Sequence, residues 1–194
     1  MDVVIRLGDR VRYKCQRCGQ CCDNGPNVGL TAFDIHRIAD FLDVDWKELR
    51  GRYIVAVIAD MVAIPTLRGK AGGKCVFLKF EEGPSCSIYP ARPMRCQLYP
   101  FMPYSPSDDE KMYLSSRCPG LNAKTEVEPP WGVLKRYYAE IQRHYSRLYR
   151  LTFHDGYTPI EALEKTIEEL ADTNSKLKDA KGHNLASPNA GYRL

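Results

Sequence analysis

Long apolar runs are missing from this chain: nothing in its 194 residues approaches the roughly 18 to 20 consecutive apolar positions that cross a bilayer. The opening Met1-Asp2-Val3-Val4-Ile5-Arg6 lacks the charged start and long apolar centre of a secretory signal. A soluble, cytoplasmic protein with no membrane partner is expected. No Gly-x-Gly-x-x-Gly or other phosphate-cradling loop occurs, which leaves a nucleotide-binding fold unsupported. Histidine is scarce, and His36, His144, His154 and His183 stand apart from the cysteines. They are read as surface or helix-packing residues rather than ligands. Charge is nearly balanced, with a net +4, so nucleic acid is not indicated. No internal repeat is visible.

Against these absences stands one excess. Four cysteines fall in eight residues, Cys15-Gln16-Arg17-Cys18-Gly19-Gln20-Cys21-Cys22, and Cys75, Cys86, Cys96 and Cys118 follow singly. A chain of this length, 44% hydrophobic, can bury a core without disulfides. In a reducing cytosol, clustered thiols bind metal or do redox chemistry. Eight thiolates add eight negative charges, and two zinc ions or two oxidised cubane clusters return about four positive. Lys14, Arg17, Lys74, Arg92, Arg95 and Arg117 lie beside the cysteines and can offset the remainder. A solvated basic surface is the equally weighted reading of the same residues.

Spacing narrows the choice of metal. A Cys-x2-Cys turn points both sulfurs at one centre, and three in series, Cys15, Cys18 and Cys21, match the run that supplies three corners of a cubane cluster. Adjacent side chains diverge, so Cys21 and Cys22 are expected to serve different centres unless one is spare. Eight sulfurs make two sets of four, enough for two 4Fe-4S clusters or two four-cysteine zinc sites. Zinc modules commonly carry a second Cys-x2-Cys knuckle, whereas the later cysteines here are separated by ten, nine and twenty-one residues. The pattern leans toward one or two iron-sulfur clusters over zinc. The radical enzymes that cleave S-adenosylmethionine present Cys-x3-Cys-x2-Cys, which this run is not.

The fold class expected is α+β, small and loop-rich, with a metal-centred cysteine core and short strands packed against two C-terminal helices. Thr31 caps and Asp34 reaches back at the start of a helix near 32 to 42, placed over the metal site. Asp45 caps a shorter helix through about Arg52. Tyr53 to Ile58 is strand or helix, since periodicity cannot decide so short a run. Met61 to Leu67 and Cys75 to Phe80 read as two strands of a hairpin joined by the glycine-rich 68–73 segment. Residues 81–130 are rich in proline and glycine and form little continuous structure by themselves. A helix from about Trp131 to Thr152 carries an apolar stripe including Leu134, Tyr137, Tyr138, Ile141, Tyr145 and Leu148, with Arg136, Arg143, Arg147 and Arg150 largely elsewhere. Thr158-Pro159-Ile160-Glu161 opens a last helix to about Lys178. The expected organisation is 1–128 as the cysteine-cluster domain, 129–181 as a helical hairpin packed on it, and 182–194 as a disordered tail.

The arrangement resembles the YkgJ-type cysteine-cluster family of zinc- or iron-chelating domains, defined by Cys-x2-Cys-x2-Cys-Cys. Leu30-Thr31 with Asp34-Ile35 and Arg37-Ile38-Ala39 is similar to its following helix. Cys75-Val76-Phe77-Leu78, the Cys86 to Cys96 block, Tyr99-Pro100 and Cys118-Pro119-Gly120 are similar to its later motifs. The resemblance implies metal chelation by Cys15, Cys18, Cys21, Cys22, Cys75, Cys86, Cys96 and Cys118. Some archaeal members carry the label iron-sulfur oxidoreductase, and flagellin lysine N-methylases contain a similar cysteine domain. In the Cys86 to Cys96 block, Arg92 and Arg95 are expected to fix the loop by donating to carbonyls, or else to cluster sulfurs, and Tyr89 and Tyr99 to pack against the site. The function expected is that of an iron-sulfur protein with redox or cluster-assisted modifying activity and an unidentified protein partner or redox donor. A zinc-stabilised interaction module using the basic helix, or a protein methylase or its accessory subunit, are the alternatives. No catalytic residue is identifiable.

Overall fold

The computed structural model of the chain describes residues 3–23 and 28–180. The expected tail at 182–194 lies outside them. The elements in order are β1 (Val3–Arg6), β2 (Val11–Arg12), the single turn α1 (Gln20–Asp23), α2 (Ala32–Leu42), β3 (Ile54–Ala59), β4 (Val62–Leu67), β5 (Leu78–Lys79), β6 (Ser85–Cys86), α3 (Met94–Leu98), β7 (Phe101–Ser105), β8 (Asp108–Leu114), β9 (Glu126–Val127), α4 (Trp131–Tyr149) and α5 (Pro159–Ala180). A 3-10 turn, Trp46–Leu49, follows the Asp45 cap, and a π turn, Arg150–His154, ends α4.

The capped helices match their sequence signals because capping is local. At α2 the Thr31 hydroxyl accepts from Asp34 N–H, and Asp34 reaches back to Thr31 N–H. Thr158 and Glu161 make the same reciprocal bonds at α5. Strand pairing departs from expectation. Residues 54–59 form a strand, and β4 pairs antiparallel with it rather than with the 75–80 segment. Asp60 and Met61 both take positive φ, 46° and 62°, so a two-residue turn closes the β3–β4 hairpin before the distant glycines can act. Residues 75–80 contribute only the short β5, which pairs with β6. The 81–130 region is also more ordered than its composition suggests. It supplies β7 and β8, which join β1 in an antiparallel sheet of order β1-β8-β7.

Two apolar clusters result. One gathers Leu30, Ile35, Ile38, Leu49, Phe77 and Ile88 with Leu148, Leu163 and Ile167. The other gathers Ile5, Met94, Leu98, Phe101 and Met112 with Leu134 and Tyr137. Each fully buried Leu or Ile contributes about 1.5–3 kcal/mol before its ordering entropy. The N-terminal half of α4 packs in the second cluster and its C-terminal end in the first, so one helix ties both together.

Candidate metal centre

The cysteine run is pinned at both ends. Lys14 N–H donates to Gly120 O at 3.0 Å, and the Gln16 amide donates to Pro119 O at 3.1 Å. The approach is close because position 120 is glycine: a Cβ there would lie 2.5 Å from Lys14 O. Arg17 and Gly19, at φ 50° and 73°, then turn the chain. Pro84 seats on Gly19, where a Cβ would meet Pro84 Cβ at 2.6 Å. After that turn, Cys22 N–H donates to Gly19 O, starting α1. Cys22 O accepts from Cys75 N–H at 2.8 Å, and Asp23 pairs with Lys74 at 2.8 Å. Lys74 is thereby held by a carboxylate.

The later cysteines arrive on three supports. Cys75 precedes β5, and Cys86 lies opposite Leu78 in the β5–β6 pair. Cys96 sits in α3, whose first N–H, from Met94, donates to the Asp34 carboxylate at 2.9 Å. Asp34 is 1% exposed and accepts in addition from Thr31 N–H, the Thr31 hydroxyl and Arg37. Arg37 in turn makes two bonds of 2.8 Å to Glu140 on α4. Asp34 therefore ends two helices at once and fixes the one that carries Cys96. No residue of α2 lines the cysteine cavity. Its expected place over the site is corrected: its N-terminal end supports α3, because the buried carboxylate finds its donors there.

Among the described residues, no three His, Cys, Asp or Glu side chains converge closely enough to hold one ion. The sulfurs instead ring a cavity of about 340 Å³, walled by Cys15, Cys21, Cys22, Cys75, Cys86 and Cys96. Arg17, Arg92 and Arg95 share the wall, as do Tyr89 and Tyr99. Cys18 and Cys118 are not in it. Cys118 feels the charge of Cys15, Cys18 and Cys21, whereas Cys22, Cys86 and Cys96 all feel that of Cys75. Cys21 is common to both sets, since Cys22, Cys75, Cys86 and Cys96 feel its charge as Cys118 does.

The Cys21 and Cys22 sulfurs are 3.8 Å apart. The hydrogen bond from the Cys22 thiol draws Cys21 down to about 7, and the same bond, with burial, pushes Cys22 up. The pair therefore shares one proton near neutrality. Burial raises Cys75, Cys86, Cys96 and Cys118, and neighbouring thiolates raise them further. Backbone N–H groups oppose this: Phe77 and Leu78 stabilise the Cys75 thiolate, Ile88 that of Cys86, and Gly120 that of Cys118. A site whose amides favour thiolates while its burial resists their accumulation is one that a bound cation completes.

Among the described residues no carbonyl accepts from the Arg92 side chain, the first of its two expected roles, while its charge acts on Cys21 and Cys86, in line with the second. Its guanidinium lies 3.6 Å from the Tyr89 ring centroid, and its Nε is buried without a hydrogen-bond partner among the described residues. Arg95 reaches the Tyr137 hydroxyl at 3.4 Å. The basic face of α4 is partly used inside the fold: Arg136 donates to the Met94 sulfur, Arg143 covers the Phe33 ring, and Arg147 binds Glu169. His36 bonds Ile167 O, and His144 is fully buried. Three contributors have no strong sequence signal. Tyr13 bonds Cys15 and, with burial, has its hydroxyl pushed far up; its only mark is an aromatic two positions before the first cysteine. Pro84 is hidden in a loop composition. Asp34 reads as a helix cap, but its bond to α3 spans 60 residues.

Residues 14–119 match the model of a family described as "Putative zinc- or iron-chelating domain", whose signature is CxxCxxCC. An uncharacterized protein of Methanocaldococcus jannaschii is 34% identical over 94 residues, which cover 47% of this chain and 46% of that protein. The match thus spans about half of that relative's length. No solved structure matches.

Proposed function

Because the chain belongs, over residues 14–119, to the CxxCxxCC family of zinc- or iron-chelating domains, we propose that its eight cysteines hold iron-sulfur clusters and that the protein transfers electrons to or from a partner protein. The observation that carries this reading is the ring of six thiols around one cavity of about 340 Å³. A zinc ion draws its four sulfurs to about 2.3 Å from one point. A cubane is a body several atoms across and suits a wide, sulfur-lined chamber better. The proposed division is Cys22, Cys75, Cys86 and Cys96 for one centre, and Cys15, Cys18, Cys21 and Cys118 for the other. The charge of Cys75 on Cys22, Cys86 and Cys96 and that of Cys15 and Cys18 on Cys118 favour it, with Cys21 the sulfur between the two sets. Bound clusters would supply one-electron redox chemistry. The chain's part is to hold the sulfurs as thiolates, with amides from Phe77, Leu78, Ile88 and Gly120, and to offset their charge with Arg17, Arg92 and Arg95.

Anaerobic purification followed by iron, acid-labile sulfide and zinc analysis tests the reading. Equal iron and sulfide are expected, about eight of each per chain for two cubanes. Cys96→Ser and Cys118→Ser should each remove about half of that iron, because they remove ligands of different centres. Stoichiometric zinc without acid-labile sulfide would overturn the cluster. Equal iron and sulfide with both variants losing everything would overturn the division alone.

A further inference from the structure

A second cavity, of about 220 Å³, adjoins the cysteine chamber. Its wall comes from Leu30 and Thr31 before α2, from Arg95 on α3, and from Tyr137, Ile141 and Tyr145 on α4. Arg95 stands in the walls of both cavities, so they are one side chain apart. Other arginines are engaged. Arg12, Arg37, Arg50 and Arg147 each meet a carboxylate, while Arg17 and Arg92 cover the Tyr89 ring. Arg95 meets no carboxylate among the described residues, and its hydrogen bond there is the 3.4 Å contact to the Tyr137 hydroxyl. The Tyr137 oxygen accepts that bond, which leaves its own O–H to donate. The Tyr145 hydroxyl feels the charge of Tyr137 and bonds nothing among the described residues. The Thr31 hydroxyl, by contrast, is saturated: it donates to the Asp34 carboxylate and accepts from Asp34 N–H. Among the described residues no acidic side chain lines this wall.

A guanidinium and two phenols left without a protein acceptor suit an acceptor-rich anion. We propose that this cavity binds a small organic acid with a second acceptor oxygen beside its carboxylate, a 2-hydroxy or 2-oxo acid carrying a short branched chain. The planar fork of Arg95 takes the carboxylate, as guanidinium geometry favours. The Tyr137 and Tyr145 hydroxyls donate to the remaining oxygens, and the alkyl group lies against Leu30 and Ile141. Volume limits the ligand. A cavity of about 150 Å³ holds benzene, so one of about 220 Å³ has room for such an acid and none for a nucleotide. The inference does not depend on which metal the cysteines hold.

Equilibrium dialysis of the metal-loaded full chain against labelled 2-hydroxyisovalerate should show saturable binding with a Kd below about 2 mM. The neutral amide of that acid and inorganic phosphate should each bind at least about tenfold more weakly, the first lacking the charge and the second the alkyl group. Arg95→Lys, which keeps the charge and removes the fork, should weaken the acid at least about tenfold. Ile141→Trp, which fills the cavity and leaves Arg17, Arg92 and Arg95 in place, should abolish binding at unchanged metal content. Weaker binding than that limit overturns the proposal, as does an amide that binds as well as the acid. Phosphate that binds as well overturns the ligand class. Binding that survives Ile141→Trp in a folded chain overturns the site, because it places the acid among the arginines of the cysteine chamber. If that variant does not fold, wild-type affinity in Arg95→Lys has the same force.

Discussion

His144 accepts a hydrogen bond at Nδ1 from Ala32 N–H, 3.2 Å away, so its proton resides on Nε2, which is buried with no partner among the described residues. Charging this ring would remove the acceptor and bury a cation. Burial therefore holds its pKa down to about 4, against an opposing pull from Asp34. An unfolded histidine titrates near 6.5, so between pH 6.5 and 4 the unfolded chain binds the extra proton. The stability His144 contributes is present above that window and is lost as pH falls through it, by about 3 kcal/mol at the bottom. Urea unfolding at pH 7 and pH 4.5 should show His144→Gln losing about 2 kcal/mol less than wild type across the interval. Parallel losses in the two proteins would sink this account, and the thiol ligands, common to both, cancel in the comparison.

At the scale of elements, the cavity depends on two close backbone approaches, Gly19 under Pro84 and Gly120 against Lys14. Gly120→Ala places its Cβ against a carbonyl, not against the end of a flexible side chain. It should cost about 1–3 kcal/mol and separate the Cys118 turn from the Cys15 end of the run. Metal content should fall with stability, and a variant that keeps full metal and an unchanged melting temperature would count against the contact. The same contrast between local and distant signals explains what the sequence disclosed. Both capping boxes, at Thr31 and Thr158, and the extents of α2 and α5 are written in neighbouring residues and were legible. The β3–β4 pairing was legible only as an ambiguous run, because two short apolar segments compete for β4 and the turn at Asp60-Met61 carries no glycine. The eight cysteines were legible as candidates, but their supports were not. Contacts such as Asp34 with Met94 join residues that share no local pattern.

For the whole molecule, the decisive arrangement is a thiol-lined cavity beside two apolar clusters that α4 connects. The helices α2, α4 and α5 pack on one another through Ile38, Leu148 and Ile167, among others, whereas Cys75 joins the same cluster from the segment before β5. Removing the metal should therefore loosen the chain unevenly. Hydrogen exchange of the chelator-treated protein should speed at least about 100-fold in residues 13–23, 75–98 and 115–122, with little change in α2 and α4. Uniform acceleration would mean that the helices also need the metal to fold.

The buttress of Asp34, Arg37, Glu140 and His144 also has a consequence in time. A chain made from its N-terminus presents all eight cysteines before Glu140 and His144 exist, since Arg37 and Glu140 lie 103 positions apart and Ala32 and His144 112. During synthesis the thiols are complete and the scaffold that aims Cys96 is not. Metal that arrives at that stage meets a loose set of ligands, and metal that arrives later meets the finished chamber.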